Sequence, residues 1–92
     1  MADTLTINLR RRLEALSKDD PDAQLPFIVT LRPGASATSV ESAGMRIDQR
    51  ITEPPLVLGT MTPKQALAVA GLDTVALVEE DTGGVHALGT PR

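Results

Sequence analysis

The sequence predicts an α+β fold, a ferredoxin-like βαββαβ sandwich with an antiparallel four-stranded sheet and two helices on one face, plus an extra N-terminal helix. Three observations carry that prediction. Segments rich in β-branched residues, at 27–31, 45–51, 56–60 and 74–80, are each bounded by Pro, Gly or polar turn residues. Helical patterns follow the first and the third of these segments. The chain has 92 residues, enough for one hydrophobic core and not two.

The elements can be justified in order. Over residues 4–18, Leu5, Leu9, Leu13 and Leu16 recur at helical spacing. Asp19-Asp20-Pro21-Asp22 then stops the helix, since proline removes a donor and restrains its predecessor. Arg10, Arg11 and Arg12 are consecutive, so they fan around this helix as a solvated edge and form no single basic patch. Residues 27–31 read as a strand between Pro26 and Pro33-Gly34, and residues 36–43 as a short helix ended by Gly44. Residues 45–51 alternate, with Met45, Ile47 and Ile51 expected on one face and Arg46, Asp48 and Arg50 on the other. Thr52-Glu53-Pro54-Pro55 turns the chain into the strand at 56–60. Thr62-Pro63-Lys64-Gln65 is a capping box with proline at the first helical position, and Gly71 closes the helix that it opens. After the last strand, Asp81-Thr82-Gly83-Gly84 loosens the chain ahead of a tail. The expected organisation is a helix and linker at 1–24, the sandwich at 25–84 and the tail at 85–92.

Composition removes several function classes. With 41% hydrophobic and 23% charged residues the chain reads as globular, and no apolar run is long enough to span a bilayer. The absence of cysteine excludes disulfides, thiolate metal sites and a cysteine nucleophile. Phe27 is the only aromatic residue, so the core must be built from aliphatic side chains and methionine. His86 is the only histidine, and its neighbours Gly83 and Gly84 make a poor mount for a catalytic imidazole. The chain therefore reads as a non-enzyme without a cofactor or metal. A net charge of −3 disfavours nucleic acid, whose phosphates call for a basic footprint. The opening MADTLTINLRRR lacks the apolar stretch of a signal peptide, which suggests either a cytoplasmic protein or a fragment excised from a longer one.

The last strand is the most informative segment. A sheet covered on one face should alternate, yet Val75-Ala76-Leu77-Val78 does not. With Ala76 and Val78 facing the helices, Val75, Leu77, Glu79 and Asp81 are expected together on the open face. Apolar groups followed by carboxylates there suggest a docking surface, because carboxylates suit the N-termini of partner helices. A competing arrangement has the N-terminal helix folded across that face. A metal site from Glu79, Glu80, Asp81 and His86 is disfavoured, since adjacent strand residues point oppositely.

Several segments taken together resemble the subtilisin propeptide family, which includes stand-alone inhibitors of subtilisin-like proteases. Phe27-Ile28-Val29-Thr30-Leu31-Arg32-Pro33-Gly34 is similar to the family's opening strand and turn. Leu58-Gly59-Thr60-Met61-Thr62-Pro63-Lys64-Gln65-Ala66 is similar to its third strand entering the second helix, and Val75-Ala76-Leu77-Val78-Glu79-Glu80-Asp81 with Val85-His86-Ala87-Leu88 to its last strand and tail. The resemblance covers about residues 26–88. It implies a domain whose open sheet face packs on two surface helices of a subtilisin-like serine protease, with Glu79 and Asp81 capping them. It also implies an extended tail in the substrate cleft: Leu88 in the primary specificity pocket, Val85 in the apolar pocket upstream, and His86 and Ala87 pairing by their backbones. The crossover from Pro33 to Gly44 is shorter than the family pattern, and neither the N-terminal helix nor Gly89 to Arg92 has a counterpart in it. A free-standing inhibitor is the expected form, with a propeptide fragment cut from a protease precursor as its nearest variant. The alternative is a ferredoxin-like interaction or oligomerisation module, a homodimer included, without protease affinity.

Overall fold

Residues 5–81 are described by the computed structural model. They run α1 (Ile7–Asp19), β1 (Leu25–Leu31), α2 (Thr38–Ser42), β2 (Arg46–Ile51), β3 (Leu56–Met61), α3 (Pro63–Ala70) and β4 (Val75–Glu80). The strands form one sheet in the order β2-β3-β1-β4, and every neighbouring pair is antiparallel. Each βαβ unit is thus split by a strand of the other: β3 lies between β1 and β2, and β1 lies between β3 and β4. This is the ferredoxin-like arrangement that the element order predicts.

Local chemistry accounts for the element limits. Thr6 caps α1, its hydroxyl accepting from the Leu9 amide at 3.2 Å. The α3 capping box is complete: the Gln65 amide donates to Thr62 Oγ1 at 3.2 Å, and Gln65 Oε1 accepts from the Thr62 amide at 2.8 Å. Gly44 ends the α2 turn at φ 114°, a conformation that L side chains rarely adopt, and lies against the Gln65 side chain. The short crossover is met by a five-residue α2. We expect Thr62→Ala to lower stability by about 1 kcal/mol, since it removes one half of the box and orphans the Gln65 amide. A urea midpoint equal to wild type would show that α3 does not depend on its cap.

One core cluster lies between the sheet and the helices. Phe27, Val29 and Leu31 from β1, Val57 and Met61 from β3, and Val75 and Val78 from β4 form its sheet side. Leu13 of α1, Val40 of α2 and Ala66, Val69 and Ala70 of α3 form its helical side, with Leu5 just ahead of α1. All three helices therefore back the same face. The N-terminal helix packs along α3, and its Arg12 bonds the Glu80 carboxylate at the end of β4. It does not cross the opposite face.

Two bulges correct the strand faces expected from alternation. In β4 the register slips where Leu31 pairs with Val75 but Thr30 pairs with Leu77, leaving Ala76 as the extra residue. Val75 and Val78 consequently both point into the core, and Val75 is fully buried. The expectation that Val75 lies on the open face is wrong for that reason. In β2 the slip falls at Asp48, between Ile47 paired with Gly59 and Gln49 paired with Leu58. Ile47 remains on the core side, but Ile51, expected beside it, turns to the open face. Arg50 turns instead toward the helices, where it pairs with Glu41 of α2 at 2.8 Å.

Candidate docking face

Cross-strand register fixes the composition of the face turned away from the helices, because directly paired residues share a side. One row reads Gln49, Leu58, Ile28, Glu79 across β2, β3, β1 and β4. The next reads Ile51, Leu56, Thr30, Leu77. A third holds Arg46, Thr60 and Pro26, and reaches Asp81 through its amide, which donates to the Pro26 carbonyl at 2.9 Å. Pro26 has no N–H to return, so the β1·β4 ladder stops at this point.

The centre of this face is aliphatic. Ile28, Ile51, Leu56, Leu58 and Leu77 are half-buried, and none is among the core residues or the hydrophobic residues packed against them. No described helix lies over them. Glu79, exposed at the β4 edge, and Asp81 supply carboxylates at one side, while Arg46 is exposed at the other. Of the predicted docking residues, Leu77, Glu79 and Asp81 thus come together on this face, and Val75 does not. Ile28, Leu56 and Leu58 make up most of the surface and escaped the sequence reading. The alternation of β1 and β3 was the signal that could have found them, since inward Phe27, Val29, Val57 and Met61 force their neighbours outward.

The predicted tail residues Val85, His86, Ala87 and Leu88 lie outside the described residues. On the helical side, an open cleft of about 390 Å³ between α1 and β4 is lined by Leu9, Arg12, Val78 and Glu80 among others. The Arg12–Glu80 pair lies within it, and Glu79 also borders it. Among the described residues no group of three or more histidine, cysteine, aspartate or glutamate side chains could hold a metal ion, and no helix is long and apolar enough to cross a membrane.

No protein-family model, curated protein or solved structure matches the chain. The class defined by fold and face is that of a small split-βαβ sandwich with an apolar sheet surface that no described helix covers.

Proposed function

We propose that this protein is a propeptide-like inhibitor of a subtilisin-family serine protease. It docks through the open sheet face and offers its C-terminal tail to the substrate cleft. The observation that carries the proposal is the aliphatic patch of Ile28, Leu56, Leu58 and Leu77, with Glu79 and Asp81 beside it, which no described helix covers. On a protease, the patch would seat on paired surface helices and the carboxylates would meet their N-terminal amides. The described β1·β4 pairing ends at Pro26 and Asp81, and on a protease the tail beyond it would follow the groove. Residues 85–88 would then bind in the manner of an added strand, with Leu88 and Val85 filling alternate pockets.

Inhibition of a broad-specificity subtilisin by the full chain tests this. Submicromolar, slowly reversed inhibition is expected. Leu88→Asp should raise the inhibition constant at least about a hundredfold, because a carboxylate would enter an apolar pocket without a partner. A wild-type protein inert at micromolar concentration rejects protease binding and leaves the sandwich as an interaction module.

A further inference from the structure

The rows of the open face have a property that alternation alone does not confer. The β2 end carries a cation, Arg46, the β4 end carries the carboxylates Glu79 and Asp81, and the middle is aliphatic. A two-fold axis running parallel to the strands, between β3 and β1, lays each row over its own reverse. Arg46 then faces Asp81 of the second copy, with Glu79 one row away, and Gln49 faces Glu79. Ile51 faces Leu77, and Leu58 faces Ile28. Leu56 faces Thr30 and Thr60 faces Pro26, so the charged positions and most of the aliphatic ones meet matching chemistry, twice over, as an isologous contact requires. A two-fold axis across the strands does the opposite, placing Glu79 over Glu79 and Asp81 over Leu77. Charge therefore selects one of the two closed ways to stack this face on itself with the strands aligned.

We infer that a second copy of this chain occupies the open face of the free protein, giving a face-to-face dimer that must part before any other partner docks. The inference rests on reading that face as a docking surface, but not on the partner being a protease. The two sheets would stack about 10 Å apart with strands aligned to within about 30°, as packed sheets do. Strands about 4.8 Å apart and rising about 3.3 Å per residue give a face of roughly 20 by 20 Å. Two such faces bury about 800 Å² in total, below the size of a stable interface and in the range of transient contacts, so the dimer is weak and dissociates in the micromolar range or above. Self-association of that strength holds the apolar surface shielded in concentrated protein and releases it on dilution.

Sedimentation equilibrium of the full chain, from low micromolar to near-millimolar concentration, tests the inference. A reversible monomer–dimer equilibrium is expected. Leu58→Asp should be monomeric throughout with an unchanged circular dichroism spectrum. Arg46→Glu, an exposed edge substitution that leaves folding intact, should weaken the dimer at least about tenfold. Adding Glu79→Lys and Asp81→Lys to Arg46→Glu should restore it. The two edges lie three strands apart within one copy, so recovery can come only from contact between copies. A wild-type monomer at every concentration, or a reversed-charge triple variant as weak as Arg46→Glu, overturns the inference. If Leu58→Asp fails to fold, the charge series alone decides. Dimerisation without protease inhibition, or inhibition by a strictly monomeric protein, separates this inference from the proposed function.

Discussion

Gly59→Ala is expected to destabilise the domain by about 3 kcal/mol or more, near the top of the range for overpacking a core. Gly59 is buried in β3, paired with Phe27 on one side and Ile47 on the other. A Cβ there would fall on the Arg46 carbonyl oxygen and within 2.9 Å of the Arg46 carbonyl carbon and the Ile47 Cα. Those atoms are backbone at the edge of the β2 bulge, so no side chain can rotate to make room. The strand itself must move. Total stability for a domain of this size is about 5–14 kcal/mol at the usual per-residue value, so the loss removes a large share. It would also detach Arg46, Gln49 and Ile51 from the open face. Gly34→Ala is the control: Gly34 has φ 82° but nothing within 4 Å of its added carbon, so only the left-handed backbone penalty of about 1 kcal/mol applies. Urea denaturation of the two variants should give clearly separated midpoints. Equal midpoints would mean that β2 and β3 do not approach as described.

Most of the fold is legible in the sequence because its local signals agree with one another. The Thr62-Pro63-Lys64-Gln65 box starts α3 where its side chains close the hydrogen bonds they suggest. The leucines at 9 and 13 turn inward, and Pro26 and Pro33-Gly34 frame β1. The faces of the edge strands are less legible, and the reason is physical. Alternation predicts side only while the pairing register is unbroken, and both edge strands carry a bulge that neither strand specifies alone. Ala76 is extruded because Thr30 and Leu31 accept Leu77 and Val75, a decision made by β1. Asp48 is extruded from β2 opposite Gly59, the one β3 residue without a side chain. In retrospect the failure of Val75-Ala76-Leu77-Val78 to alternate was a bulge signature, with Val75 and Val78 on one side. The position of α1 was also undetermined, since a leucine stripe says that a helix is covered and not by which face of the sheet. Leu13 and the Arg12–Glu80 pair settle it together.

Val75 and Leu77 stand two residues apart on one strand, and the bulge between them should make their aspartate variants behave in opposite ways. Val75→Asp places a carboxylate in a fully buried site among aliphatic side chains. No cation of the core is there to pair with it, so the penalty is expected to be about 4 kcal/mol or more. Set against a total of about 5–14 kcal/mol, that leaves the domain largely unfolded or markedly thermolabile. Leu77→Asp puts the same group on the half-buried open face, beside Thr30 and within reach of solvent. There it should lower stability by only about 1 kcal/mol while abolishing both self-association and partner docking, since a charge now interrupts the apolar patch. Thermal melts by circular dichroism, read beside sedimentation and inhibition for each variant, give the four outcomes needed. Simple alternation without the bulge predicts the reverse for Val75, a folded protein that has lost binding. A cooperative wild-type-like melt for Val75→Asp would therefore return that residue to the open face, move the slip elsewhere in β4, and dissolve the row pattern on which docking and dimerisation both depend.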